Sequence, residues 1–265
     1  LGTQDSVLSL ISGGFDSSVS SYLTIKRGLK THYCFFNLGG SDHEIAVKEV
    51  ALYLWMKYGA SQPVKFVTVP FEAVVTEILE SIENSQMGVI LKRMMLRAAS
   101  KIAEELKLQA LVTGECVAQV SSQTLPNLAV IDEVTDMLVF RPLAMSDKQD
   151  IIDTARQIGT EVFSAVIPEY CGVISVKPTT RARLHRIEKE EAGFDFSVLD
   201  QAIIDRKVQY IDNLKLDQKN ANVEILEISN PDKGAVIVDI RHPDEVVLRP
   251  LSVEGFEIRI LPFYK

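Results

Sequence analysis

The chain has 265 residues, 46% of them hydrophobic and 24% charged, enough to bury one substantial core and a small second unit. No apolar stretch is long enough to span a membrane and the N-terminus lacks a charged-then-apolar leader pattern, so a cytoplasmic enzyme core is expected and a membrane protein is not. A net charge of −8 makes the chain as a whole a poor partner for a polyanion, which confines any nucleic-acid contact to local clusters of Lys and Arg.

In chain order, the apolar run Val7 to Ile11 predicts a buried strand, followed by Ser12-Gly13-Gly14-Phe15-Asp16-Ser17-Ser18 and a helical pattern that begins near Ser17. Lys30 to Asn37 reads as a second strand. Ser41 with Glu44 forms a capping-box pattern before an amphipathic segment from Glu44 to Tyr58, closed by Gly59. Val64 to Val69 predicts a strand, Glu72 to Ile82 and Ile90 to Leu106 helices, Ala110 to Thr113 and Met137 to Arg141 short strands, and Lys148 to Ile158 a helix. This alternation implies an α/β fold, a parallel sheet with helices on both faces. Pro178 to Ala192, starting at a Thr179 or Thr180 cap, and Ser197 to Asp205 read as helices of a linker over 177–220 that follows a first domain over 1–176. Val223 to Ile228, Ala235 to Arg241 and Phe256 to Leu261 read as strands of a last segment over 221–265, with His242-Pro243-Asp244-Glu245 opening a short helix.

Ser12 to Ser18 carries the chemistry. Without Cβ atoms, Gly13 and Gly14 let the backbone curl its N–H groups toward a phosphate, and the following helix adds the positive end of its dipole. Ser12, Ser17 and Ser18 offer hydroxyl donors. Asp16 repels a phosphate unless a cation such as Mg²⁺ stands between them, so its presence points to metal-assisted nucleotide chemistry. The plain alternative is a polar strand-to-helix turn capped by Asp16 or Ser17, but the string S-G-G-x-D-S arises by chance only about a few times in ten thousand chains of this length. The sequence has neither the Walker pattern nor the dinucleotide fingerprint at this point. Ligands of open α/β sheets lie beyond the carboxyl ends of the strands, where Ser12 to Asp16, Asn37 to Gly40 and Gly114 to Glu115 all fall.

SGGxDS after a first strand resembles the PP-loop of the N-type ATP pyrophosphatases, which cleave ATP between the α and β phosphates and adenylate a carbonyl oxygen. The segments Cys34 to Gly40, Gly88 to Met95, Leu111 to Glu115, Val120 to Thr124 and Pro168 to Ser175, in this order, resemble the tRNA uridine 4-sulfurtransferase (ThiI) family through essentially the whole chain. The resemblance implies ATP and Mg²⁺ as cofactors, tRNA as substrate and a cysteine desulfurase as persulfide donor. The implied product is 4-thiouridine at tRNA position eight, with a link to thiamine thiazole synthesis. It also implies nucleotide contacts at Leu10, Ile11, Lys92, Gly114 and Gln123 beside the loop. Leu10 and Ile11 offer backbone groups to the nucleoside, Lys92 a point charge for phosphate, and Gly114 a close backbone approach. Gln123 has no claim of its own from the residues around it. No metal-ligand cluster is expected. Another PP-loop adenylating enzyme, acting on a different tRNA base or forming an amide, and a non-catalytic nucleotide-binding module stand as alternatives.

The three cysteines form no C-x-x-C pair, which argues against a zinc ribbon, a thioredoxin motif and the iron–sulfur PP-loop thiolases. Cys34 reads as a buried strand residue and Cys116 is ambiguous. Cys171 lies in a loop between Pro168 and Gly172, where a thiol is reachable. The resemblance gives it a role in sulfur transfer, through a disulfide with a persulfide-bearing cysteine of a rhodanese-like domain. Val236 to Arg241 followed by Glu245 resembles the opening of such a domain, but a tail of about 45 residues is small for an independent core. It is expected to dock on the core, to pair with another chain, as in a homodimer, or to be partly disordered. Two basic clusters, Lys92-Arg93-Arg97-Lys101 and Lys177-Arg181-Arg183-Arg186-Lys189, read either as solvated helix faces or as RNA contacts. In the resembled family an N-terminal ferredoxin-like and THUMP region grips the tRNA.

Overall fold

A computed structural model of the chain describes residues 5–165, 167, 177–214, 236–239, 246, 250–251 and 256–260. The chain divides into two compact units, Leu1–Leu216 and Asp217–Lys265. In the first, a six-stranded sheet has the order β5-β4-β1-β2-β3-β6. Its strands are β1 (Ser6–Leu10), β2 (Lys30–Asn37), β3 (Lys65–Pro70), β4 (Ala110–Val112), β5 (Leu138–Phe140) and β6 (Lys207–Tyr210). All pairings are parallel except β6, which runs antiparallel to β3 with Lys65 opposite Tyr210.

Helices cover both faces: α1 (Phe15–Lys26), α2 (Gly40–Leu54), α3 (Glu72–Ser81), α4 (Met87–Glu105), α5 (Leu125–Asp132), α6 (Lys148–Ile158), α7 (Glu161–Ser164), α8 (Leu184–Glu191) and α9 (Phe196–Ile204). The period-2 alternation of strand side chains sorts them into two cores. Cys34 and Phe36 of β2 pack with Ile90 and Met94 of α4, Ile78 of α3 and Ile203 of α9. Tyr33 and Phe35 point the other way, toward Val19 of α1, Val47 and Leu54 of α2, and Ile151 and Ile158 of α6. Because β1 has β2 on one side and β4 on the other, the strand order reverses there, and a crevice opens at its carboxyl end.

Several boundaries differ from the sequence reading. α2 starts at Gly40, not Glu44, with Gly39 as an N-cap that has no side-chain hydrogen bond. Glu44 is instead engaged by Thr68 Oγ1 of β3 at 3.1 Å and by Lys48 Nζ, one turn on in the same helix, at 2.7 Å, so these partners displace the expected capping box. The segment ends in a π-helical turn, Trp55–Gly59. α8 begins at Leu184, because the Thr179 and Thr180 carbonyls are taken by Asn127 Nδ2 and Thr124 Oγ1, each at 2.8 Å. α5, α7 and β6 were not expected: α7 and β6 have four residues each and α5 has eight, too few for a clear periodic pattern. In the second unit, β7 (Val236–Asp239) and β8 (Glu257–Ile260) pair in parallel. The strand expected over Val223 to Ile228 and the helix at His242 lie outside the described residues.

α4 is tied to α8 through charge. Arg93, 3% exposed, donates from Nε to Glu191 Oε1 at 2.6 Å and from Nη2 to Oε2 at 2.9 Å, while Nη1 donates to the Val130 carbonyl at the end of α5. Arg97 Nη2 adds a bond to Glu191 Oε2 at 3.1 Å. Removing one partner of such a pair leaves an uncompensated buried charge. Glu191→Ala is therefore expected to cost about 3–5 kcal/mol of unfolding free energy in urea titrations; a loss under about 1 kcal/mol would mean that the pair behaves as a surface one.

Candidate active site

The turn after β1 is built so that its carbonyls face inward. Gly13 adopts φ 83°, in the left-handed region, and a Cβ there would sit 2.5 Å from Ile167 Cδ1. Ser164 Oγ of α7 donates to the Gly13 carbonyl at 2.8 Å, and Ser18 Oγ donates to the Gly14 carbonyl at 2.8 Å. Ser17 Oγ accepts from Ser12 N at 3.1 Å and itself donates to the Gly14 carbonyl at 3.2 Å. With Gly14 as an N-cap lacking a side-chain hydrogen bond, the first-turn N–H groups of α1 face the crevice with the helix dipole behind them, a ready anion site.

A cavity of about 570 Å³ opens over this turn, lined among others by Leu10, Ile11, Ser12, Gly14, Asp16, Ser17, Lys92, Gly114 and Gln123. Gly13 and Ser18 are absent from its wall and support the turn from behind. Cys171 lies outside the described residues. The cavity wall includes Leu10, Cys34, Phe36, Leu38, Leu91 and Met95, which belong to one apolar cluster and suit the flat face of a base. It also includes the charged Asp16, Lys92, Glu115 and Lys148. Burial pushes the Cys34 thiol well above its ordinary range, so it serves there as a small apolar group. Cys116, also buried, donates from Sγ to the Ser146 carbonyl at 3.0 Å.

Asp16 is held on both oxygens, by Lys148 Nζ on Oδ1 and Gln119 Nε2 on Oδ2, each at 2.8 Å. Lys92 Nζ donates to Glu115 Oε1 at 2.7 Å, and Glu115 Oε2 accepts from Arg141 Nε at 2.9 Å and Thr113 Oγ1 at 3.1 Å. Gly114 is required by packing: a Cβ there would lie 2.7 Å from the Asp16 carbonyl carbon and 2.8 Å from Ser17 N, so the β4 loop rests directly on the first turn of α1. Gln123 closes a 3₁₀ turn, Ser121–Gln123, and its Oε1 accepts from Cys116 N at 3.4 Å. His43 Nε2 lies 3.4 Å from the Ser12 carbonyl, with its ring edge-on to Phe35.

The sequence reading placed Glu115 in a loop at the ligand edge without giving it a role, and it missed Lys148, Gln119, Arg141 and Ser164 as site residues. Of these only Lys148 had a local signal, directly after Asp147 where a helix begins.

Burial acts to raise the Glu115 carboxyl, but Lys92 and Arg141 outweigh it and hold the pKa at about 2, down from 4.5. A depressed carboxyl contributes its stability in full above the unfolded value and loses it as pH falls through the folded one. The thermal stability of the wild type should therefore fall as pH drops from about 4.5 to 2. Glu115→Gln should start less stable at neutral pH and give a flatter profile across that window; parallel profiles would exclude Glu115 as the source.

The family model described as "ThiI: Thiamine biosynthesis protein (ThiI)" matches residues 2–196. A protein named tRNA sulfurtransferase from Saccharophagus degradans is 58% identical over 265 residues, covering 100% of this chain and 55% of the relative. One of the same name from Colwellia psychrerythraea is also 58% identical, with the same coverage. A solved structure of a 4-thiouridine synthetase in complex with RNA and bound ATP superposes with a TM-score of 0.74 at 31% identity, over 79% of this chain and 56% of that one. The chain spans about half the length of the curated relatives it matches. Since the match of the family model runs through the glycine turn, the charged wall of the cavity and helix α8 alike, the chain belongs to the ThiI family.

Proposed function

We propose that this chain is the ATP-using part of a tRNA sulfurtransferase that adenylates O4 of a uridine, at tRNA position eight, and replaces that oxygen with persulfide sulfur. The observation that carries the reading is the N-terminus of α1, facing a cavity lined both by apolar side chains suited to adenine and by Lys92 and Lys148. The solved 4-thiouridine synthetase holds both RNA and ATP, which supports the same pair of ligands here.

In this reading, the first-turn amides of α1 bind the β and γ phosphates, and O4 of the uridine attacks the α phosphorus in line. The O4–P bond forms, the bond to the bridging oxygen breaks, pyrophosphate leaves and the N3 proton is lost to solvent. Lys92 and Lys148 offset charge that moves onto the leaving group. Both are already held by carboxylates, which keeps them oriented before ATP arrives. Mg²⁺ fits as an ion held mostly by phosphates. Among the described residues no group of His, Cys, Asp and Glu forms a metal cluster, and Mg²⁺ commonly takes one or two carboxylates plus substrate oxygens, a part open to Asp16. When bound, it neutralises phosphate charge.

The second step is sulfur transfer. The terminal sulfur of a persulfide, supplied through a cysteine desulfurase, attacks C4 and AMP leaves with the former O4. The Cys171 thiolate then breaks the sulfur–sulfur bond, leaving the thio base and a disulfide that an external thiol reduces. A thiol of ordinary pKa, ~8.5, needs electropositive surroundings to act this way at neutral pH. The same persulfide supply is the proposed link to thiamine thiazole synthesis.

Pyrophosphate release with unmodified tRNA and ATP tests the reading directly; ATP binding without tRNA-dependent release would favour a non-catalytic nucleotide module. Asp16→Ala should lower release by about 10²–10³-fold while leaving the fold intact by circular dichroism, and undiminished turnover would remove Asp16 from the mechanism. Cys171→Ser should leave release intact while abolishing persulfide-driven thiolation. Equal loss of both steps would make Cys171 structural.

A further inference from the structure

The two basic clusters of the sequence part ways once folded. Lys92, Arg93, Arg97 and Lys101 are each ion-paired, with Glu115, Glu191, Glu191 and Asp200. Lys177, Arg181, Arg183, Arg186 and Lys189 are all exposed, and none makes an ion pair with another described residue. In a chain of net charge −8, a run of unpaired cations is the exception.

The strap that carries them is rigidly placed. Asn127, fully buried, donates from Nδ2 to the Thr179 carbonyl at 2.8 Å and to the Ser121 carbonyl at 2.7 Å, and its Oδ1 accepts from Ala182 N at 2.7 Å. One side chain thus fastens the strap to the Ser121–Gln123 turn that walls the cavity. Pro178 itself lines the cavity, and Ala182 and Ile187 are buried in the core beneath. With Ile187 and Glu191 inward on α8, the helical period places His185, Arg186 and Lys189 on the outward face. Glu188 and Glu190 flank that ridge, and Glu190 is engaged by Glu83 N at 2.8 Å. The cations therefore begin at the rim of the cavity and lead away from it.

We infer that the strap Lys177 to Lys189 is a docking rail for the phosphate backbone of the RNA whose base enters the cavity, with Arg181, Arg183, Arg186 and Lys189 as its contacts. This rests on the proposed function and adds to it the surface that holds the substrate near the reacting base. Phosphate neutralisation is a local effect, screened over about 8 Å at physiological salt, so the overall negative charge does not cancel it.

The test is tRNA binding by the full-length protein across a salt series, with Arg181, Arg183, Arg186 and Lys189 replaced by Ala. Each lost phosphate contact lowers the slope of log K against log salt by about 0.9, so the variant should lose up to about 3.6 units of slope while its thermal midpoint and KM for ATP stay put. A control replacing Arg27 and Lys107, exposed residues at the amino ends of strands and away from the cavity, should keep the wild-type slope. An unchanged slope in the strap variant, or an equal loss per residue in the control, would overturn the inference. So would a variant that keeps its tRNA slope but loses persulfide delivery from the desulfurase, which would make the strap a protein-docking face. If the wild type shows no tRNA-dependent pyrophosphate release, the functional reading fails. If it releases pyrophosphate and the strap variant binds tRNA as before, only this inference fails.

Discussion

Everything at the site depends on which way the peptide groups of Gly13 and Gly14 point. A tight turn presents both N–H and C=O, and an anion is attracted by one and repelled by the other. Here the carbonyls are drawn inward by hydroxyls, Ser164 on Gly13 and Ser17 and Ser18 on Gly14, and the amides at the front of α1 are left outward. The left-handed Gly13, with Ile167 against it, makes that orientation accessible without strain. α7 is only four residues long, but it supplies a hydroxyl that the turn cannot supply for itself.

A second constraint is electrostatic. Lysines near a low-dielectric pocket lose solvation and need counter-charges, and both pocket lysines have one: Glu115 for Lys92 and Asp16 for Lys148. Arg141, bound at once to Glu115 and Asp132, anchors the network to α5. The arrangement fixes the positive groups before an anion arrives, so little orientational freedom remains to be lost on binding. The same logic extends to the surface. Cations that face the core or the pocket are neutralised by carboxylates, whereas those on the strap beside the pocket are not.

Much of the architecture was legible because its signals are local. Alternating apolar strands and amphipathic helices placed β1 to β5 and most helices, and parallel topology placed the glycine turn at the carboxyl edge where the strand order reverses. Elements failed to show where local pattern is weak or overridden. β6 is a short, exposed edge strand of four residues, α5 is short, and the capping box at Ser41 gave way because Glu44 has better partners in Thr68 and Lys48.

By itself the sequence determined the chemistry of the turn, since glycine conformations and hydroxyl spacing are properties of a few adjacent residues, and it singled out Asp16 there, whereas Lys92, Gly114 and Gln123 entered through the family resemblance. Only the tertiary structure decided what surrounds them, because contacts such as Ser164 to Gly13, Lys148 to Asp16 and Arg141 to Glu115 join residues far apart in the chain and follow no period. It also decided the fate of the two basic clusters, which look alike as strings of residues. Pairing with carboxylates, buried for Arg93 and at the surface for Lys101, neutralises one, and a strap pinned by Asn127 holds the other out in solvent.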